Sequence, residues 1–514
     1  MTATTSPLYA RRYWTLAVLC ISLMLVGMAI TILNVAIPDI VRALHADPDQ
    51  LQWIFAVYGV VFAGLVITMG AISDRFGRKR LLDIGLVVFG LAAGLGALAH
   101  SPGPLIAARA GMGVGAAMLM PGTLSIVTTV FPPEERQQAI GIWSGVGGLG
   151  FILGPPIGGI LLTHFWWGSV MLVNVPVVVV ALIAGAKLVP ESRDPERLRL
   201  DLVGAALSIV AIAAMVFAFI DAPDAGWLGG PVLGAIALAL VAGTAFVAWE
   251  LRVDHPMLDV RLFRNPTFRV PALVITFGFW TVWGLLFLLP QYLQFVRGQS
   301  VLTVGLVLAV ISVTWSISAP LIPRVSARVG ERNVIAVALL FSAGGVLCLL
   351  GVGGGATTAV VLVALLAIGL GMGSVTTPAT TLLVSGLPPE QAGVGSVMND
   401  VTREFGTAFG IAVLGTVLAI RYSDRLSRVP GLTRAEAATA RDGVGDAVRV
   451  ARQVSRPDVA SRLRSVAEAA FTSGFRIAVV VGAAVLAVIA ALTWLGLPRP
   501  DGSRPRPRVP IRHR

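Results

Sequence analysis

Apolar residues in this chain arrive in long blocks, separated by short segments that hold most of the charge, glycine and proline. A block of roughly 20 apolar residues crosses the ~30 Å hydrocarbon core of a bilayer as one helix. Fourteen blocks fall at 13–37, 52–72, 81–99, 105–130, 138–163, 169–189, 202–221, 231–250, 270–293, 303–323, 333–351, 358–385, 394–420 and 474–496. The pattern predicts an all-α membrane protein with fourteen transmembrane helices, which satisfy every backbone polar group internally. An even number of spans puts both termini on one side. The first block follows Arg11-Arg12, reaches Ile37 and shows no cleavage pattern. It reads as the first span rather than a signal peptide.

Composition agrees: 56% of the 514 residues are hydrophobic and only 13% are charged. That excludes a soluble globular class, which carries about twice the charged fraction. The net charge of +12 raises a nucleic-acid role, but the basic residues form no single face and sit between apolar blocks, so no nucleic acid is expected. With the N-terminus in the cytoplasm, the cytoplasmic segments hold 24 of the 39 basic residues and the short outer loops hold two, Arg42 and Arg297. This bias predicts cytoplasmic termini. A further 11 lie in or beside the long segment 421–473, which the same reading places outside. Long translocated loops are exempt from the bias. Val444, Ala447, Val448, Ala451 and Val454 give that segment a helical period, and Thr433 to Glu436 has capping-box spacing. Short amphipathic outer helices are expected, with a disordered loop as the alternative.

No metal, cofactor or enzymatic chemistry is expected. The five histidines lie at or outside block ends, Cys20 and Cys348 lie in separate blocks, and no nucleophile motif or nucleotide loop is present. An internal repeat is visible. Asp74-Arg75-Phe76-Gly77-Arg78-Lys79 follows span 2, and Ala327-Arg328-Val329-Gly330-Glu331-Arg332 follows span 10. The expected division is 1–190 as a six-helix bundle, 191–268 as two inserted helices with flanking loops, 269–496 as a second six-helix bundle and 497–514 as a basic cytoplasmic tail.

Two motifs carry more than topology. In the loop after span 2, Gly70 allows close helix approach, Gly77 allows a tight reversal, and Asp74 with Arg75 and Arg78 supplies charges for a switching latch between bundles. In span 5, Gly150, Gly154, Gly158 and Gly159 put a smooth stripe on a helix that Pro155-Pro156 should bend. The first motif resembles the cytoplasmic loop signature of the major facilitator superfamily, and the second its antiporter signature. The fourteen-span drug:proton antiporter branch is also matched in order by Asp201-Leu202-Val203-Gly204, Trp249-Glu250, His255 to Asp259, Leu289 to Gln294 and Asn399 to Gly406.

The resemblance implies a secondary exporter of hydrophobic drugs, biocides or antibiotics from the bacterial cytoplasmic membrane, working by proton antiport. The implied partners are small hydrophobic substrates, cationic ones included, protons and the lipid bilayer; oligomeric state stays open. The chain departs from the branch at Ala29, where span 1 usually carries an acid, and at Met112, where a Gln is usual. An uncoupled or differently coupled carrier of lipid or natural product, or a transporter-derived sensor, therefore remains the alternative.

Ionisable residues inside spans are functional pointers because they are expensive there. Arg109 in span 4 matches the superfamily's embedded arginine, and Asn34 lies in the span 1 motif. Asp400, Arg403 and Glu404 share one face of span 13 by their i, i+3, i+4 spacing. Two carboxylates one turn apart in a low-dielectric site do not both carry charge cheaply. The pair is thus the candidate carrier of the coupling proton, with Arg403 steadying one acid. Phe277, Trp280, Trp283 and Phe287 recur at helical spacing in span 9. Trp280, Trp283, Gln291 and Tyr292 are candidate cavity-lining residues, with lipid-facing placement as the alternative.

Overall fold

A computed structural model describes residues 11–498, apart from 47, 193–200, 254, 255, 257–259, 353–356, 386, 388–391, 427, 428 and 455. Most of the basic tail, 499–514, and most of the His255–Asp259 motif lie outside the described residues, as do the side chains of Asn34 and Pro155. Among the described residues every regular element is a helix.

The spanning helices are α1 Arg12–Thr31, α2 Pro48–Phe76, α3 Arg78–Ala97, α4 Pro102–Val130, α5 Pro133–His164, α6 Asn174–Leu188, α7 Leu202–Ala225, α8 Gly230–Glu250, α9 Pro266–Gln291, α10 Val301–Val329, α11 Glu331–Cys348, α12 Thr357–Ser385, α13 Ala392–Leu426 and α14 Pro457–Gly496. Thirteen stretches, covering all of these but α7, are long and apolar enough to cross a membrane. The fourteenth helix, α7, has its described apolar part at Leu202–Ala218.

Among the described residues two large cores hold the bundles together, and a small third cluster of Ala218, Ala222 and Val232 joins α7 to α8. One gathers buried residues from Leu16 to Val189 and also takes in Val384 and Val397. The other gathers residues from Phe246 to Leu497. Between them in sequence, α7 and α8 pack on each other, and α7 also packs on α2 and α13. Asp201 caps α7, accepting the Gly204 N–H at 2.8 Å and the Trp249 indole N–H of α8 at 2.8 Å. That pairing gives the Asp201-to-Gly204 and Trp249 motifs a structural purpose. Trp53 of α2 stacks on Phe217 of α7 at 6.0 Å, and the Trp227 indole donates to Thr416 of α13.

The internal repeat is visible in the backbone. Gly77 joins α2 to α3 with φ +116°, and Gly330 joins α10 to α11 with φ +86°. Side chains rarely adopt these conformations, so glycine recurs at both reversals. At Gly77 a Cβ would also sit 2.6 Å from a Glu191 carboxylate oxygen.

The long segment 421–473 differs in extent from its sequence reading. Span 13 runs on as helix to Leu426 and span 14 begins at Pro457, well before residue 474. Forty residues of α14 make a rod of ~60 Å, about twice the hydrocarbon core. Apolar periodicity marks where a helix enters lipid, and does not mark where a polar extension of it begins. Two short helices, Arg434–Asp442 and Val444–Gln453, lie in the same segment, and the second packs on α14. The capping box at Thr433 and Glu436 is fully formed. Ala440, Val444, Ala447 and Val450 join the second core, so the segment is a folded extension of that bundle.

Candidate functional site

The two bundles touch where α13 packs on α2 and α4, and where α5 packs on α10 and α12. Gly70 of α2 packs so tightly on Val397 of α13 that any Cβ there would collide with it. Ser396 of α13 donates to the Pro121 carbonyl of α4 at 2.7 Å. Across the other seam, a Cβ on Gly141 of α5 would lie 2.6 Å from the Ala319 carbonyl of α10. Next to it, Ser316 of α10 donates to the Gly145 carbonyl at 2.6 Å.

Proline shapes these helices through the carbonyls it leaves without donors. Pro155 cannot bond the Phe151 carbonyl one turn back, and Thr31 of α1 donates to that oxygen at 2.8 Å. Pro323 leaves the Ala319 carbonyl in the same position, and Thr377 of α12 donates to it at 3.1 Å. The span 5 stripe packs within its own bundle. Cβ atoms on Gly150, Gly154 and Gly158 would meet α1 and the turn that follows it at the Met24 carbonyl (2.6 Å), the Ile32 nitrogen (2.9 Å) and the Ile32 carbonyl (3.0 Å), while one on Gly159 meets nothing within 4 Å. The glycines facing the opposite bundle are Gly141 and Gly145. Their own four-residue spacing was the signal for them.

The loop after α2 is braced mainly by local partners. The Asp74 carboxylate accepts from Arg78 Nε at 2.9 Å, and Arg78 Nη1 donates to Thr129 of α4 at 2.9 Å. The Arg78 backbone N–H bonds the Ser192 carbonyl at 2.8 Å. Arg75 lies over the Phe76 ring at 5.3 Å.

Arg109 is 1% exposed. Its Nε donates to the Ile54 carbonyl of α2 and its Nη1 to the Ala29 carbonyl of α1, both at 3.0 Å. The guanidinium lies 4.6 Å from the centre of the Tyr58 ring. One side chain therefore ties α4 to α1 and α2. At position 29 it uses the backbone, where the branch usually offers an acid side chain.

The α13 charges sit between the bundles. Asp400 is 0% exposed, and one of its carboxylate oxygens, Oδ2, has no hydrogen-bond donor. Its Oδ1 accepts from Asn399 at 3.3 Å, and Asn399 accepts from Thr380 of α12 at 2.8 Å. The Arg403 charge acts on both acids. Its Nε and Nη2 are buried without acceptors. Its guanidinium lies between the rings of Trp143 of α5 and Phe279 of α9, 5.1 Å from each. Glu404 is partly exposed and lies within electrostatic reach of Tyr58. The site thus spans both bundles, with Trp143, Phe279 and Tyr58 as members that charge-based reasoning on α13 alone does not find.

The span 9 aromatics divide among three environments. Trp280 is 3% exposed and meets Phe277 and Phe409 at 6.5 and 6.3 Å. Trp283 meets Phe151 of α5 at 4.7 Å across the bundle interface. Phe287 is exposed, and Gln291 donates to its carbonyl at 3.0 Å. Tyr292 stacks on Phe475 of α14 at 5.6 Å, inside the second core. It begins a π-helical turn, Tyr292–Val296.

Two helical bundles in contact, with ionisable residues buried at their interface, define a membrane transporter of the two-bundle type. The family model of the Major Facilitator Superfamily matches residues 19–411, and the chain belongs to that family. It is 34% identical to the multidrug efflux pump LfrA of Mycolicibacterium smegmatis, covering 97% of this chain and 99% of that one. It is 32% identical to the methyl viologen resistance protein SmvA of Salmonella typhimurium over 95% of this chain and 98% of that one. With the tetracenomycin C resistance and export protein of Streptomyces glaucescens it shares 30% identity over 95% and 92% of the two chains. Among solved structures, the human organic anion transporter MFSD10 shares the fold with a TM-score of 0.60 at 16% identity, over 94% of this chain and all of that one.

Proposed function

We propose that the protein exports small hydrophobic compounds (drugs, biocides or antibiotics) from the bacterial cytoplasm in exchange for protons, by alternating access of its two bundles. The relatives named for efflux and resistance, matched over nearly their whole lengths, support the direction of transport. The observation that carries the coupling is Asp400, a fully buried carboxylate with an unpartnered oxygen at the interface of the moving halves. Such a group is costly in a membrane interior and persists where it has work to do.

In this reading Asp400 and Glu404 hold the coupling proton, and Arg403 sets the charge of the site. Arg109 acts as a positioning residue that keeps α1, α2 and α4 in register. The Arg/Lys bias puts the loop 74–80 in the cytoplasm. The Gly70–Val397 and Gly141–Ala319 contacts then shut the cytoplasmic path, and the reverse state must break them. Gly77 and the Asp74–Arg78 pair keep the α2–α3 reversal rigid while the bundles rock.

The absence of an acid at Ala29 favours a second reading, a carrier without proton coupling. Sealed everted vesicles containing the chain separate the two. Dye accumulation that collapses when the proton gradient is dissipated supports antiport. Dye that only equilibrates across the membrane, at a rate indifferent to the gradient, supports the uncoupled carrier.

A further inference from the structure

The internal repeat places two basic residues alike. Lys79 and Arg332 each stand two residues past a reversal glycine, Gly77 or Gly330. Each opens a helix, α3 or α11, that packs on the last helix of its own bundle, α6 or α14.

In the first copy the chain meets these charges itself. Lys79 Nζ donates to the Ala186 carbonyl, in the last turn of α6, at 3.3 Å. The Glu191 carboxylate accepts the Lys79 backbone N–H at 3.3 Å and pairs with Arg80 at 3.6 Å. An acid that follows α6 thus covers the positive start of α3.

The second copy answers differently. Arg332 reaches the last turn of α14, as Lys79 reaches that of α6, but it meets a ring there instead of a carbonyl. Its guanidinium lies 4.5 Å from the centre of the Trp494 ring, and its Nε has no acceptor. The segment 324–332 holds Arg324, Arg328 and Arg332 against the single acid Glu331, so the charge there is positive in excess. The place is open to its surroundings: Trp494 is 49% exposed and Leu495 next to it 80%.

The Arg/Lys bias sets this end of α14 at the cytoplasmic face, where indole rings lie at the level of lipid headgroups. The leaflet on that side is negative. A guanidinium is a planar fork of donors that matches phosphate oxygens, and it keeps that fork while lying flat on an aromatic face.

We propose that Arg332 and Trp494 hold the phosphodiester of an anionic phospholipid of the cytoplasmic leaflet. The lipid supplies to α11 the negative charge that Glu191 supplies to α3. The guanidinium donates to the phosphate oxygens, the indole orients the guanidinium, and Arg328, exposed one turn back on α10, adds attraction. The site lies at the membrane surface of the second bundle, apart from the buried charges of α13.

The test is native mass spectrometry of the purified full chain in detergent, with equal amounts of phosphatidylglycerol and phosphatidylcholine. Wild type should retain phosphatidylglycerol in preference. Arg332→Gln should cut the ratio of the two adducts about five- to tenfold, the worth of one hydrogen bond to a charged group at a partly exposed site. Arg332→Lys, which keeps the charge but not the fork, should cut it less. Trp494→Leu should lower it about two- to fivefold, the worth of one cation–π contact. Arg297→Gln, at an exposed base in the loop after α9, should leave it unchanged. An excess of inorganic phosphate should leave the lipid adduct in place. Equal retention of both lipids by wild type overturns the proposal, as does a ratio unmoved by both Arg332→Gln and Trp494→Leu, or one lowered as far by Arg297→Gln. Displacement by inorganic phosphate would give the site to a soluble phosphate and overturn its assignment to lipid.

Discussion

Single residues carry two different kinds of buried charge. Arg109 is fully used: two backbone carbonyls and a tyrosine ring surround it. Arg403 has rings on both sides but two donors unspent. The first is what structural service looks like, and the second is what a site waiting for a partner looks like. Arg109→Lys should therefore act on stability. A lysine cannot reach both carbonyls with a planar fork, and about 2–3 kcal/mol should be lost. Thermal unfolding of the purified protein checks this, and an unchanged midpoint would contradict the positioning role. The sequence made these arginines conspicuous because each interrupts an apolar block. It did not tell them apart, because the partners of Arg109 are main-chain carbonyls and those of Arg403 come from helices far away in sequence.

At the scale of elements, α5 is the informative helix. Its printed pattern, Gly150 to Gly159, pointed to close packing, and the packing is there, against α1. The seam with the other bundle is made instead by Gly141 and Gly145. Spacing reveals that a helix has a smooth face; which neighbour meets it depends on topology. Gly141→Ala pushes a methyl against the Ala319 carbonyl and should slow exchange about tenfold at unchanged protein level. Gly148→Ala, one turn from Gly145 with nothing within 4 Å of the added methyl, should transport normally. Equal rates in both variants would remove this seam from the cycle. The short helix Arg434–Asp442 gives a pH prediction. The Thr433 backbone N–H and hydroxyl hold the Glu436 carboxyl below its usual value. A depressed folded value means the box stabilises the helix above the usual carboxylate range and stops doing so as pH falls through the folded value. Hydrogen exchange of this helix should quicken on acidification, and Glu436→Gln should remove the pH dependence. Here the sequence was fully legible, since a capping box is local and needs no distant partner.

The described part of the molecule is built on two large cores bridged by helix–helix contacts, with α7 laid along the α2–α13 side. The fourteen apolar blocks and the repeated Gly77 and Gly330 reversals made this architecture readable, because each is dictated by lipid or by backbone sterics. The folded extension between α13 and α14 was only partly readable, because the polar first half of α14 lacks the apolar run that marks a span. The proposed orientation has a direct check. Single cysteines replacing Ala3 and the exposed Ala438 should respond oppositely to an impermeant thiol reagent added to intact cells, with only position 438 labelled. Labelling of position 3 would invert the topology. The account as a whole turns on the α13 acids. Asp400→Asn and Glu404→Gln, made singly in sealed vesicles, should be assayed for substrate exchange driven by a pH gradient and for downhill efflux without one. Loss of the first with retention of the second, in at least one variant, is the expected result. Unchanged gradient-driven exchange in both variants would contradict the account and leave an uncoupled carrier in its place.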